Sequence, residues 1–495
     1  MPVAAQVMRH ASERPRRLAV RGPEGDLSYA EFARRIGLAA GRLSGRGVGR
    51  GALAAISLAD PVALLTAVLA ADLVGATPLV CDHTWEPERR ERVMDAVPVD
   101  ARVETPLPVT EDPPVETPAG SPPGQPAGEP VGRPAGPSTR RREETPARAG
   151  ASPTDRAWSC FSSGSTGRPR AVVRTRASWT ESFPHLSELA GIGPDDVVLV
   201  PGPLSSSLYG FAAVHALATG ATAVVPGRWP SASLAAHLEG STVVHVVPHR
   251  LPAVLEALRE TGDPSRTALR TAVVGGAALG ADTRALAADA GVNVLAYYGA
   301  TELSFVAVDS DGSGLRPFPG VEIEVRVARG QPFGEVWARS PWLAEGYLAG
   351  AAGPLRVDGE GWMTVGDVAE PYRPGEVLRL RGRGDGAIQT GGATVVPEDV
   401  EEVLRKAPGV GDVVVVGSPH PELGAVVTAI LEADGASPPS RAALEEASRG
   451  GLDAAQRPRR WYSVQSLPRT GAGKPARGLL AARLAGGDPD IRRLT

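Results

Sequence analysis

Lysine is nearly missing from this 495-residue chain: only Lys406 and Lys474 occur, so 50 of its 52 basic residues are arginine. A GC-rich coding sequence gives such a skew. Where charge alone is needed arginine serves, so a surviving lysine can mark a place that requires a compact ammonium. Cysteine is as scarce. Cys81 and Cys160 cannot staple a chain this long, and no Cys-x-x-Cys pair or Cys/His cluster has metal-ligand spacing. A reducing compartment is expected. Neither sign of charge dominates, with 52 basic against 56 acidic residues and a net charge of −4, and no basic block is long enough to track a phosphate backbone. Nucleic acid is therefore not an expected partner. No stretch of eighteen apolar residues occurs, so no transmembrane segment is expected. The start, Met1 to Val7, lacks a basic region followed by an apolar run, and the expectation is a cytoplasmic protein.

What is present is globular: 42% hydrophobic and 22% charged residues, in a length that holds about three domains at ~150 residues each. Ser28 with Glu31 three residues later forms a capping box, and the apolar stripe through Phe32, Ile36 and Leu43 predicts a helix. A strand at Leu53–Leu58, a helix from Pro61 to about Val74 and a strand ending at Val80 continue a βαβ rhythm. Composition then changes, for residues 101–150 hold 12 of the 47 prolines without apolar periodicity, so 104–154 reads as a disordered or polyproline-like insertion. From Trp158 the alternation resumes, with strands expected at Val197–Val200, Ala223–Val225, Val243–Val247, Ala272–Val274 and Val294–Tyr297. Helices are expected at Pro252–Glu260 and Asp282–Ala290, and the texture turns β-rich after Pro317. A last compact unit follows Arg381–Asp385, with a helix at Pro397–Lys406 and strands at Asp412–Val416 and Val426–Glu432.

Several stretches carry chemistry. Ser162, Ser163, Gly164, Ser165, Thr166 and Gly167, followed by Arg168 and Arg170, lie between two strand candidates. Hydroxyls, close-approaching N–H groups and positive charge suit a polyphosphate, although a polar hairpin turn has the same composition and Walker A spacing is absent. Tyr297-Tyr298-Gly299-Ala300-Thr301-Glu302 sets a carboxylate beside a hydroxyl, a reasonable shell for Mg²⁺, a cation that keeps several waters. Asp367 after Gly366 reads either as a turn former or as a carboxylate for a ribose diol. Lys474, between Gly473 and Pro475, is too constrained for a chance surface lysine, whereas Lys406 on a charged helix face reads as solvated.

Taken in order, these stretches resemble the adenylate-forming superfamily of acyl-CoA synthetases, peptide-synthetase adenylation domains and luciferases. The serine-rich loop is similar to the family's Ser-Gly-Thr-Thr-Gly-x-Pro-Lys-Gly phosphate loop, and Tyr298 to Glu302 to its Tyr-Gly-x-Thr-Glu motif. Gly366-Asp367 resembles Thr-Gly-Asp, Gly382-Arg383-Gly384-Asp385 the Gly-Arg-x-Asp hinge, and Leu467 to Lys474 the loop of the adenylation lysine. The resemblance implies an α/β fold in two parts. A large AMP-binding domain, residues 1–381, would hold βαβ-type layered sheets and a β-barrel-like part; a hinge at 382–386 about Asp385 would lead to a small mobile α+β domain, 387–495. It also implies roles: Tyr298 on adenine, Asp367 and Arg383 on the nucleotide, Thr301 at the α-phosphate, Glu302 on Mg²⁺, Lys474 in adenylation.

The sequence departs from the family pattern at Arg170, Ala171, Val365 and Gly386, and none of these touches Glu302, Asp367, Arg383 or Lys474. An acyl pocket is implied between Ser207, Tyr209, Gly299 and Ala300, with Phe211 to Val214 as an apolar wall. Amino-acid-activating relatives place an aspartate in the first stretch to hold the α-ammonium; here serines, Leu208 and Tyr209 stand there, so an α-amino acid is disfavoured. The strings Arg174–Trp179 and Thr301–Phe305 look most like bacterial fatty-acyl-CoA ligases. Gly391 and Gly392 resemble the loop that lets a phosphopantetheine arm approach closely. The reading is an ATP- and Mg²⁺-dependent carboxylate:CoA ligase acting on a small-molecule acid, with CoA as co-substrate. Its rivals are a stand-alone enzyme that loads an acyl carrier protein or forms an amide, and a nucleotide-binding pseudoenzyme.

Overall fold

The computed structural model describes residues 3–85, 87–109, 152, 154–162, 170–260, 268–329, 331–351, 353–383, 386, 388–390, 393–421, 423–433, 437–470 and 473–494. Ser28 caps the helix Tyr29–Gly45 through a capping box with Glu31, as its spacing predicts. Asp60 caps Pro61–Leu73, its carboxylate accepting from the Ala63 N–H at 2.6 Å with Pro61 at the first helical position. That helix buries 11 of its 13 residues and Ser207–Thr219 buries 10 of 13, so neither has a solvent face.

These helices belong to one core that reaches two largely parallel sheets. The first has nine strands in the order Arg316–Pro317, Ser304–Asp309, Asn293–Ala300, Thr271–Gly275, Val243–Val246, Val197–Leu199, Thr222–Val224, Leu18–Gly22 and Gly25–Ser28. Its central strands are short Val- and Ala-rich runs, the composition of strands covered on both faces. The second sheet runs Gly346–Tyr347, Arg170–Thr175, Arg156–Ser162, Thr77–Val80, Leu53–Ile56, Ala101–Val103. The β-rich texture after Pro317 is a third, antiparallel sheet in which Gly334–Arg339 serves three neighbours; its strand path runs open from Arg356–Val357 to Leu380–Arg383.

Residues 388–494 build their own sheet around the hairpin Val410–His420 and Gly424–Ala433. Val413 and Val415 face one apolar cluster and Val414 and Val416 another, so the period of two buries both faces under the helices of this unit. The opening hairpin Leu18–Ser28 joins the first sheet beside Thr222–Val224, not the second sheet that the neighbouring βαβ rhythm builds. The packed chain also runs past Glu104, where the sequence placed the start of the insertion. Leu107 is buried in the main core and the Val109 carbonyl accepts from Arg34, because one apolar side chain suffices to pin a segment without periodicity. Residues 110–151 lie outside the described residues.

Candidate active site

The strand Asn293–Ala300 carries the first group of candidates. Its register slips between Tyr298 and Gly299, and Ser304 on the returning strand has φ of 62°. A Cβ at Gly299 would run into the Ser304 carbonyl oxygen, so the bulge requires glycine there. Around it the two tyrosines diverge. Tyr297 turns into the core, its ring 4.7 Å from Phe305 and pressed against Gly275, and burial pushes its phenol well up. Tyr298 faces the other way and its hydroxyl donates to the Asp367 carboxylate at 2.8 Å. Asp367 lies directly opposite Arg383 across an antiparallel pair, so three nucleotide candidates converge, although the Arg383 side chain is outside the described residues.

Beyond the bulge, Thr301 and Glu302 are fixed from several sides. The Thr301 hydroxyl shares a 2.9 Å hydrogen bond with Ser207, at the start of the buried helix. Glu302 is 5% exposed; its carboxylate accepts from the Tyr347 hydroxyl at 2.8 Å and its carbonyl accepts from the Ala344 N–H at 2.9 Å. Burial and the Glu302 charge both hold the Tyr347 phenol protonated, so it remains the donor. Arg170 lies 5.9 Å over the Tyr347 ring and pairs in register with Ser162. These two residues are the feet of the serine-rich loop; Ser163, Gly164, Ser165, Thr166 and Gly167 between them lie outside the described residues, as does the side chain of Ser162. A single buried carboxylate beside a hydroxyl, reached from two strand ends, fits a Mg²⁺ ion that is shared with substrate phosphates.

The residues of the expected acyl wall, Phe211, Ala212, Ala213 and Val214, are all buried in the main core. Phe211 stacks on Trp179 at 5.2 Å and meets the edges of Phe183 and Phe305 at 5.3 and 5.2 Å. Tyr209, one of the pocket residues expected from sequence, is buried with its ring against Gly202, and burial pushes its phenol to about 12. Ser207 reaches Thr301, and Gly299 and Ala300 border the bulge.

Lys474 arrives from the other end of the chain. Gly275 pairs with Tyr297 at the end of the neighbouring strand, Gly276 follows it directly, and a Cβ at Gly276 would stand 3.0 Å from the Lys474 Cε. Gly276 has φ of +95° and Gly473 of +81°; a Cβ on Gly473 would stand 2.8 Å from the His249 ring. The lysine loop thus crosses onto the large domain between two glycines in left-handed backbone. Arg469 braces it from within the small domain, donating to Asp412 at 2.8 Å and to the Gly473 carbonyl at 3.4 Å. Lys406 is exposed and pairs with Glu402 at 3.3 Å, one helical turn away. Asp385, Gly391 and Gly392 lie outside the described residues.

Sequence reasoning missed Tyr347, Gly276, His249 and the buried Arg174. The Gly275-Gly276 pair ending a strand was the only signal for the second; Tyr347 and Arg174 meet the site from the second sheet and His249 meets the lysine loop from the end of Val243–Val246, which no spacing reveals.

Layered parallel sheets, a separate small domain and a lysine seated between them define an adenylate-forming enzyme. The chain belongs to that family: residues 7–348 match the AMP-binding enzymes and residues 399–474 the AMP-binding enzyme C-terminal domain. It is 32% identical to an uncharacterized acyl-CoA ligase of Bacillus subtilis over 64% of this chain and 66% of that protein. To a probable 2-succinylbenzoate–CoA ligase of Mycobacterium tuberculosis it is 31% identical, over 66% of this chain and 83% of the relative. The Bacillus subtilis o-succinylbenzoate CoA synthetase, solved with its acyl-adenylate intermediate, superposes with a TM-score of 0.77 at 22% identity, over 96% of this chain and 97% of that one. The chain is thus of the AMP-forming carboxylate:CoA ligase class. Among the described residues no helix is long and apolar enough to cross a membrane.

Proposed function

We propose that this protein joins an apolar carboxylic acid to CoA in two steps. A substrate carboxylate oxygen attacks the α-phosphorus of ATP and expels pyrophosphate; the CoA thiol then attacks the acyl carbon, loses its proton and expels AMP. The observation that carries this reading is the seat of Lys474 against Gly276, at the end of the strand that pairs with Asn293–Ala300, the strand that bears Tyr298 and leads into Thr301 and Glu302. From there its ammonium reaches an anion bound along the strand end and stabilises charge that develops as the carboxylate attacks.

Tyr298, Asp367 and Arg383 orient the nucleoside, and the loop between Ser162 and Arg170 receives the phosphates. Bound Mg²⁺, held by Glu302 beside Thr301, would neutralise phosphate charge. The ring wall of Phe211, Trp179, Phe183 and Phe305 supports an apolar acid, and the absence of an aspartate from 203–210 leaves an α-ammonium without a partner. We place the reaction in the cytoplasm. CoA is the proposed acceptor through the Gly391-Gly392 loop.

ATP–pyrophosphate exchange across fatty, aryl, dicarboxylic and amino acids tests adenylation without presupposing the acceptor. Apolar acids should support exchange, and Lys474→Ala should slow it by ~10²–10³-fold with ATP still bound. Exchange that no acid supports, or that Lys474→Ala leaves unchanged, overturns the reading. A phosphopantetheinylated carrier that accepts the acyl group in place of CoA would overturn the acceptor alone.

A further inference from the structure

Two arginines that stand two residues apart are both almost completely buried, Arg174 at 4% exposure and Arg176 at 1%, yet they are handled in opposite ways. Arg176 is neutralised: it donates to Asp72 at 2.7 and 3.2 Å and lies 3.5 Å from Asp155. A buried charge paired in this way is ordinary architecture. Arg174 donates instead to main-chain carbonyls from three separate segments. Its guanidinium reaches Ser178 O at 2.8 Å, Thr301 O at 3.0 Å and Trp342 O, with the Ser178 hydroxyl at 3.4 Å and the Trp179 ring 5.5 Å from its centre. Burial draws its pKa down to about 10 and the charge of Glu302 opposes that shift, so it stays a cation at neutral pH.

A buried cation held by dipoles is costly in a core, and a fold that needed only packing would fill the space with an apolar side chain. What these bonds do is stitch a loop. Trp342 lies two residues before Ala344, whose N–H donates to the Glu302 carbonyl at 2.9 Å, and the Trp342 indole donates to Phe305 O at 3.1 Å. Residues 301–305 are thereby tied to 342–344 along both sides, and Arg174 is the bracket that bonds to both segments at once.

Resting on the reading that Thr301 and Glu302 serve the nucleotide, we propose that Arg174 is a positioning residue for adenylation: its forked guanidinium fixes the Thr301 carbonyl and so sets where the Thr301 hydroxyl and the Glu302 carboxylate stand. A planar fork with five donors can serve three carbonyls; the ammonium of lysine sits at a different height and cannot span them. Arg174→Lys keeps the charge and should lower kcat for exchange about 100-fold, the cost of displacing a catalytic group by ~1 Å, with the KM for the acid changed less than about two-fold.

The readout that separates positioning from mere stability is amide hydrogen exchange. In Arg174→Lys and Arg174→Met, amides of 299–305 should exchange about 10-fold faster at a temperature where both variants are folded, the equivalent of one lost hydrogen bond. Arg176→Met, which removes an equally buried guanidinium without touching the loop, should lose stability and leave the protection of 299–305 as in the unmodified protein. Equal loosening of that segment in the Arg176 and Arg174 variants, or loss of melting temperature in Arg174→Lys with kcat and protection unchanged, overturns the proposal. Absence of exchange activity in the unmodified protein would overturn the function proposed above, and the hydrogen-exchange comparison would still decide the role of Arg174.

Discussion

The seat of Lys474 can be probed by adding one methyl group, with Gly276→Ala. Two costs arise there and they can be separated. The first is backbone: φ of +95° is left-handed, and an alanine held in it costs ~1–2 kcal/mol. The second is contact. The new Cβ would stand 3.0 Å from the Lys474 Cε, about 0.5–1 Å inside ordinary carbon–carbon separation, so the lysine stem must move. A flexible stem can do so for ~0.5–1.5 kcal/mol by leaving its rotamer. The ammonium is then misplaced by a similar fraction of an ångström to an ångström, which costs up to ~10²-fold in rate.

Gly291→Ala is the matched control, for Gly291 has φ of +72° and open space where a Cβ would go. Both variants should lose comparable melting temperature. Only Gly276→Ala should slow ATP–pyrophosphate exchange, by about 10–100-fold, with the KM for ATP nearly unchanged. Equal exchange rates in the two variants would show that Lys474 does not work from this seat.

Asp367→Asn removes the charge that receives the Tyr298 hydroxyl and should raise the KM for ATP about 10–100-fold, the ~1.5–3 kcal/mol of a charge-assisted hydrogen bond; a change under two-fold would remove Asp367 from the nucleotide. Lys406→Ala should leave exchange unaltered and shift stability by no more than ~0.5 kcal/mol, since its partner is an exposed helical neighbour; a slowed reaction would mean that this second lysine has a chemical role. His215 predicts an acid sensitivity. Burial holds its imidazole neutral down to about 4, while the unfolded chain takes up that proton near 6.5. From this group alone stability should be level above about pH 7 and fall as pH drops from 6.5 to 4, by at most ~1.4 kcal/mol per unit. Buried His245, held down to about 3, adds up to the same slope over that window and carries the fall further. Urea midpoints against pH should be flatter in His215→Gln; an unchanged slope would refute the assignment.

Local signals carried furthest in the sequence. Ser28 and Glu31 announced a helix that the structure caps with those side chains, and Pro61 stood where a first helical residue belongs. The strands around 243–247 and 294–297 were legible as short apolar runs, although the latter extends to Ala300 because its bulge keeps it paired past Tyr298. Long-range pairing left no trace. Nothing in the text of residues 18–28 says that they pair with 222–224, and Leu107 was lost in a proline-rich stretch because one buried leucine makes no period. At the site, Tyr298, Asp367 and Glu302 were nameable from motif order, whereas Tyr347 and Arg174 were not. Their chemistry comes from neighbours on other sheets, and a buried arginine looks in sequence like any of fifty.

The opening hairpin also has a bearing on biosynthesis. Leu18 accepts from the Thr222 hydroxyl across 204 residues of chain, and the Tyr29 hydroxyl is satisfied by the carbonyls of Leu217 and Ala221. At ~5–20 residues per second, the ribosome delivers those partners about 10–40 s after the hairpin has been made. For that interval a strand edge and a buried-to-be phenol wait without their mates, during which they are open to the wrong ones. Slow translation between residues 30 and 220 should therefore lower the yield of folded protein more than an equal delay placed after residue 320, where the nine strands of the first sheet have already been synthesised.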